Sequence, residues 1–461
     1  MKAKGIVPLT TTIKRRLEAC FSSPLIAKIA GGILWLSLGA IPSRVASLLS
    51  TFLVVRILGK SAYGEFSLVR STASAFVVVA MFGMGRAAAK CVSEYLVVDK
   101  ERAGRVVALN YLFTLLASGL VALFFYLAAP VLCERTLDAP QLAFQVRIGA
   151  LLLVALAFVG AQTGTLTGFQ AYGEISLASA ISGFLSIPFF VLGAKYWGTT
   201  GAILGFSTNA LFNALINGFY ISILLKRRQM RYQFRNCWRE LSILWNYSLP
   251  STLLSLVSSM TTWGTSILIA RRVNGFAELG IFDASRQIQT AILYLPVLAS
   301  NVLVPTLSEL NARRDNALHA KTTRYNVAIN AGFTALIALG VAICSPWIMR
   351  GFGDGFEGRG SVLLTLLLAC VAMSVVNAYG TALTSLGALW GRFWLTVMWG
   401  TIVVLLLLVF SARFSAAFAA SLAILIAYSI QALGSAFYVR RLLTRIDRSN
   451  SVQVLRERRG S

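Results

Sequence analysis

Five charged residues stand inside long apolar stretches of this 461-residue chain: Arg44, Arg70, Arg147, Arg286 and Asp283. A cation near the centre of a bilayer costs at least ~2.5–3.5 kcal/mol on insertion scales, so it faces a cavity or a partner. Arg44 lies near the middle of its apolar block. At the helical rise it is roughly 20 Å from either end, too deep for its head group to snorkel to water. A guanidinium presents a fixed fork of donors that matches phosphate oxygens, and it stays charged at every relevant pH. A cavity lined by Arg44, Arg70 and Arg286 therefore suits a diphosphate head group, and the scarcity of intramembrane carboxylates argues against a pocket for cationic drugs. The competing reading of Arg44 is a structural bond to backbone carbonyls freed by the neighbouring Pro42. Arg70 and Arg286 lie nearer the edges of their blocks, where snorkelling competes with function. Asp283, three residues before Arg286 on the same helix, is placed to pair with it. It is also the candidate for a coupling-cation or proton site. Arg147, at the start of its block, reads as an interfacial anchor.

The positions of Arg70 and Arg286 differ by 216, and the residues around them keep that offset: Arg56 with Arg272, Gly59 with Gly275, Gly64 with Gly280, and Phe66 with Phe282. Gly164 and Gly380 are separated by the same offset, within GTLTGFQAYGE and GTALTSLGALWGR. Internal repetition of this kind in a membrane protein marks a transporter with its substrate site between two halves.

The elements that must position these residues are membrane helices. The chain is 57% hydrophobic and 13% charged, against about half and a quarter in a soluble domain. Twelve apolar blocks long enough to span a bilayer as helix lie at roughly 29–55, 66–85, 106–132, 146–168, 176–194, 199–225, 243–270, 279–303, 327–349, 361–386, 393–411 and 414–438. The fold class is thus an all-α polytopic membrane protein, with about twelve spans in two parallel six-helix repeats around a central cavity. The segments divide as an N-terminal part over 1–28, a first bundle over 29–225, a basic linker over 226–242, a second bundle over 243–438 and a basic tail over 439–461. Pro42, Pro188, Pro250 and Pro296 fall inside spans, where a missing backbone donor can bend a helix.

The net charge of +25 comes from 42 Lys+Arg against 17 Asp+Glu. Alternate gaps between blocks carry 29 of the basic residues on one side and 9 on the other, with Arg44, Arg70, Arg147 and Arg286 inside spans. The positive-inside bias then places both termini in the cytoplasm, and this distribution excludes a nucleic-acid partner as the reason for the charge. The basic stretch at Lys14, Arg15 and Arg16 precedes a first block too long for a removable signal core. The six cysteines have no paired spacing and the single His319 falls in a cytoplasmic loop, so neither a disulfide framework nor a metal cluster is expected. There is no GxxxxGK[ST] phosphate loop, and no cofactor is expected.

The run Arg56-Ile57-Leu58-Gly59, then Ala62-Tyr63-Gly64 and Phe66, resembles the start of polysaccharide-biosynthesis flippases of the O-antigen type. Phe82-Gly83, Lys90 through Tyr95 (KCVSEY) and Gly168-Phe169-Gln170 fit the same pattern. These flippases belong to the multidrug/oligosaccharidyl-lipid/polysaccharide exporter superfamily. The resemblance implies two six-helix bundles around a cavity that opens alternately to either side of a bacterial cytoplasmic membrane. The implied substrate is an oligosaccharide on undecaprenyl pyrophosphate, moved from the inner to the outer leaflet. The related peptidoglycan-precursor flippase holds the diphosphate with arginines in its first, second and eighth helices. Carried over by helix, that role falls to Arg44, Arg70 and Arg286. The precursor flippase has two further helices beyond these twelve blocks, which disfavours its own substrate here. Expected partners are the lipid-linked oligosaccharide, membrane lipid, and the polymerase and glycosyltransferases of the same pathway.

Two other functions compete: a cation-coupled drug antiporter of the same superfamily, and a membrane glycan polymerase or ligase. An enzyme of the latter kind needs a sizeable external loop carrying catalytic groups. The external loops are mostly short and hold no His or carboxylate cluster, so the chain reads as a transporter rather than an enzyme. Glycan polymerisation by the purified protein would mark the enzyme, and proton- or sodium-driven drug efflux the antiporter.

Overall fold

The computed structural model of the protein describes residues 24–234, 236–241, 249–313, 315–353 and 355–459. The basic stretch at Lys14, Arg15 and Arg16, Cys20, most of the 1–28 segment and the start of the seventh block at 243–248 lie outside the described residues. Among the described residues every regular element is a helix.

The helix Pro24–Met81 runs for 58 residues, which straight would measure ~87 Å against a hydrocarbon core of about 30 Å. It therefore crosses twice, breaking at Gly59, whose φ of 72° is the left-handed region that glycine adopts without a Cβ penalty. Helix 1 is the arm over 24–58 and helix 2 the arm over 60–81. The helix Tyr172–Arg227 breaks in the same way at Trp197 and Gly198, giving helix 5 over 172–196 and helix 6 over 199–227. The other crossings are helix 3 (Lys100–Val131), helix 4 (Ala143–Gly168), helix 7 (Leu249–Ala270), helix 8 (Gly275–Ala312), helix 9 (Asn316–Gly351), helix 10 (Gly360–Ser385), helix 11 (Leu389–Phe410) and helix 12 (Ala416–Arg459). A short helix, Met84–Val98, lies between helices 2 and 3.

Among the described residues nine helical stretches are long and apolar enough to span. Two of those contain the breaks, and helix 8, whose hydropathy Asp283 and Arg286 lower, completes the twelve. Pro42 and Pro188 sit within continuous helical backbone. The turns between helices 1 and 2 and between helices 5 and 6 fall at Gly59 and at Trp197–Gly198, in the gaps between the apolar blocks.

The internal repeat is physical. Helices 2 and 8 cross backbone to backbone, and a Cβ added at Gly64 would run into the carbonyl oxygen of Phe276, while one at Gly280 would run into that of Lys60. Lys60 and Phe276 are themselves one repeat apart. The two contacts are therefore the same contact seen from each half, as a two-fold axis through the crossing requires. Gly64→Leu forces backbones apart with no side chain free to yield. It is expected to destabilise the purified protein by more than the ordinary overpacking cost of about 1–3 kcal/mol, read as a lower thermal unfolding midpoint. Gly119→Ala, whose Cβ meets nothing within 4 Å, is the control and should leave the midpoint unchanged.

The halves also meet at the membrane face that carries the helix 1–2 turn. The Phe52 and Phe352 rings lie 5.1 Å apart, and Arg271 donates to the carbonyl of Arg135. Two sequence placements are corrected here. His319 is in the first turn of helix 9 rather than in a loop, fully buried, with Nε2 3.0 Å from the Ser385 hydroxyl. Arg392 belongs to helix 11 rather than to the loop before it. The Asp315 side chain, which accepts from the Leu318 N–H, caps helix 9 and so extends it past His319. Arg147 is exposed and lies over the Tyr126 ring, as an interfacial anchor does.

Candidate functional site

A cavity of about 370 Å³ opens between helices 1, 2, 5, 6 and 8. Helix 1 turns Ser43, Ser47, Ser50 and Thr51 into it, helix 5 Ser179, Ser182 and Ser186, and helix 6 Asn209 and Asn213. These positions recur at helical spacing, so each helix presents one polar stripe in an otherwise apolar span. The two walls touch where the Ser50 and Ser186 hydroxyls come within 2.7 Å. Arg44 and Arg70 project into the same space, joined from helix 8 by Gln287 and Tyr294. Among the described residues its lining contains no carboxylate.

The two arginines differ in their bonding. Arg70 donates through Nη2 to both carboxylate oxygens of Asp283, at 2.8 and 2.7 Å. The Tyr63 hydroxyl donates to Asp283 Oδ2 at 2.8 Å, and Gln287, with its amide oxygen toward Arg70, accepts from Nη1 and Nη2 at 3.0 and 2.7 Å. The guanidinium also lies 5.5 Å from the Phe66 ring centre. With side-chain exposures of 18% and 9%, the Arg70–Asp283 pair is shielded from water. Arg44, by contrast, has its Nε buried with no hydrogen-bond partner among the described residues. A buried cationic donor left unsatisfied calls for a ligand or a reason, and among the described residues no backbone carbonyl freed by Pro42 accepts from this nitrogen.

Asp283 does not pair along its helix with Arg286, as the three-residue spacing suggested; it pairs across the halves with Arg70. The glycine crossing is the physical cause, because it brings helix 2 close enough for a direct carboxylate contact. The repeat then explains the asymmetry. Asp283 is the counterpart of Ser67, and Arg286 that of Arg70. The symmetry mate of the Arg70–Asp283 pair would be Arg286 with Ser67, and serine carries no charge. Arg286 instead donates to the Thr262 hydroxyl at 3.2 Å.

Arg286 lines a small space of about 40 Å³ in the second half, with Thr261, Thr262, Thr265, Gln289 and Tyr428. That space adjoins a larger one of about 240 Å³, with which it shares Met373, Trp399 and Tyr428. Arg392 lines the larger one with Asn377, Gln431 and Ser435, and donates to the Thr384 hydroxyl at 3.0 Å. Arg44 and Arg70 thus share one cavity while Arg286 lies in the other half, and Arg70 is within electrostatic range of both. Sequence reasoning missed Tyr63, Gln287, Tyr294, Thr262 and Arg392. The serine stripes were readable as polar residues at helical spacing, whereas Arg392 was masked by its place in a loop count. Among the described residues no group of His, Cys, Asp and Glu is placed to hold a metal ion.

The sequence profile of the family described as Polysaccharide biosynthesis protein matches residues 29–311. The EPS I polysaccharide export inner membrane protein EpsE of Ralstonia nicotianae is 23% identical over 397 residues, covering 83% of this chain and 86% of its own. Its counterpart in Ralstonia solanacearum is 23% identical over 381 residues, 80% of this chain and 84% of its own. Among solved structures, an inward-facing multidrug resistance MATE family transporter of the MOP superfamily superposes with a TM-score of 0.74 at 15% identity, covering 90% of this chain and 99% of that one. The lipid II flippase MurJ in an inward closed conformation superposes at 0.70 and 15% identity, covering 92% of each. These likenesses establish the twelve-helix, two-repeat fold of that superfamily.

Proposed function

The chain belongs to the polysaccharide biosynthesis protein family, and from that we propose that this membrane transporter is a flippase for an undecaprenyl-pyrophosphate-linked oligosaccharide, an O-antigen or exopolysaccharide repeat unit. It carries the lipid-linked glycan from the inner to the outer leaflet of a bacterial cytoplasmic membrane by alternating access, with both termini in the cytoplasm. The excess of basic residues on one face supports that orientation. The export role in the name of the Ralstonia relatives supports the substrate class, and it implies a polymerase and glycosyltransferases acting before and after it.

Arg44, Arg70 and Arg286 bind the diphosphate in this reading. The observation that carries it is Arg44: a buried guanidinium nitrogen without a partner, in a hydroxyl-lined cavity free of carboxylates among the described residues. Such a cavity favours an anion and disfavours the organic cations of a drug antiporter. Serine, threonine and asparagine side chains on three helices supply the donors and acceptors that a sugar needs. Asp283 serves as an internal counter-anion, holding Arg70 and bracing the two halves until a phosphate replaces it.

Purified protein in liposomes, given labelled undecaprenyl-diphospho-glycan in one leaflet, is expected to accelerate its appearance in the other. Exchange no faster than in protein-free liposomes overturns the assignment.

A further inference from the structure

Helix 12 has two working faces. Tyr428, Gln431 and Ser435 line the cavity of the second half. On the opposite side Leu433, Phe437 and Arg440, again at helical spacing, line a separate crevice of about 390 Å³ against helices 9 and 10. Leu433 and Phe437 are 73% and 66% exposed and fall within a membrane span, Ala416–Arg445. Lipid is therefore what covers them.

The crevice is polar at one end. Arg324 of helix 9 and Arg440 of helix 12 both line it. Both are exposed, and among the described residues neither is in an ion pair. At the helical rise Arg440 lies about 36 Å beyond Ala416, and Arg324 about 40 Å before Gly351. Both guanidiniums are thus set just outside a ~30 Å hydrocarbon core at the same membrane face. Leu433, two turns before Arg440, lies roughly 10 Å deeper. Thr323, next to Arg324 on helix 9, is 2% exposed, and its Oγ1 is buried without a partner among the described residues in the wall of the same crevice. Two cations at head-group depth, an unsatisfied hydroxyl in the same wall and an apolar channel beneath match one kind of molecule.

We propose that this crevice binds an anionic phospholipid. The two guanidiniums take the phosphodiester oxygens, the Thr323 hydroxyl donates to a further phosphate or ester oxygen, and an acyl chain lies along Leu433 and Phe437. A zwitterionic lipid would bring its own cation against the arginines. The site is on the outer wall of the bundle, across helix 12 from the cavity, so its lipid is a brace between helices 9 and 12 and not a passenger.

The test is lipid retention by the full-length protein in detergent, read by native mass spectrometry during titration with phosphatidylglycerol or phosphatidylcholine. On the order of 10- to 30-fold tighter retention of phosphatidylglycerol is expected from two juxtamembrane cations. Arg324→Gln with Arg440→Gln should abolish that preference. Thr323→Val, which keeps the buried volume, should weaken phosphatidylglycerol binding several-fold and covers the case in which the double variant fails to fold. Equal retention of the two lipids, or a preference intact in every variant, overturns the proposal. So does displacement by millimolar inorganic phosphate, which would mark a site for soluble anions. Displacement by equimolar undecaprenyl phosphate would mark a substrate entrance and equally refute it.

Discussion

Asp283→Ala is expected to weaken the contact between the two halves by about 3–5 kcal/mol, the cost of stripping one partner from a buried ion pair. Arg70 would then stand uncompensated where its side chain is only 18% exposed. Cysteines placed at Phe52 and Phe352, whose rings are 5.1 Å apart, report the contact in a cysteine-free background, and their cross-linking yield should fall steeply. Replacing both partners by leucine should restore most of the yield, since an apolar pair of similar volume often matches a buried ion pair. The sharpest variant is the swap Ser67→Asp with Asp283→Ser, which moves the acid to its counterpart in the first half. It should recover cross-linking by pairing the transplanted carboxylate with Arg286. Unchanged cross-linking in Asp283→Ala would show that the pair does not hold the halves together.

Arg44→Ala is expected to abolish leaflet exchange and glycan display while the protein inserts and unfolds as the wild type does. Arg44 Nε bonds to nothing among the described residues, so its removal costs the fold little and instead relieves a buried unsatisfied donor. For a bound diphosphate the loss is different. Charge-assisted hydrogen bonds contribute about 1.5–3 kcal/mol each, so affinity should fall on the order of 10- to 100-fold per bond lost. Arg286→Ala should reduce exchange similarly. Because Arg286 donates to Thr262, Arg286→Lys, which keeps the charge but not the fork, is the informative companion. Wild-type display in both Arg44→Ala and Arg286→Ala would refute an arginine-held substrate.

The membrane helices were legible because the bilayer allows few solutions: each apolar block from 29–55 to 414–438 is centred on a helical stretch. The repeat was legible because Gly64 and Gly280 are both needed at one crossing, which preserves their spacing. The turns at Gly59 and Gly198 were legible as the gaps between 29–55 and 66–85 and between 176–194 and 199–225, although the positive φ that each glycine adopts there was not. Asp283 shows the limit of local spacing. Arg286 is its neighbour along the chain, yet Arg70 is its partner, and nothing near position 283 announces a helix from the other half. The polar lining lay in plain view as Ser43, Ser47 and Ser50, a stripe that charge-based reading of the membrane segments passes over.

Where helices 2 and 8 touch at Gly64 and Gly280, the atoms nearest each glycine belong to the main chain of the other helix. Such a joint can swivel once the Arg70–Asp283 pair beside it is released, and it lies on the axis relating the halves. It has the properties of a fulcrum: large excursions at the far ends of the two bundles demand only a small rotation there, while any methyl group added at that point would jam the lever.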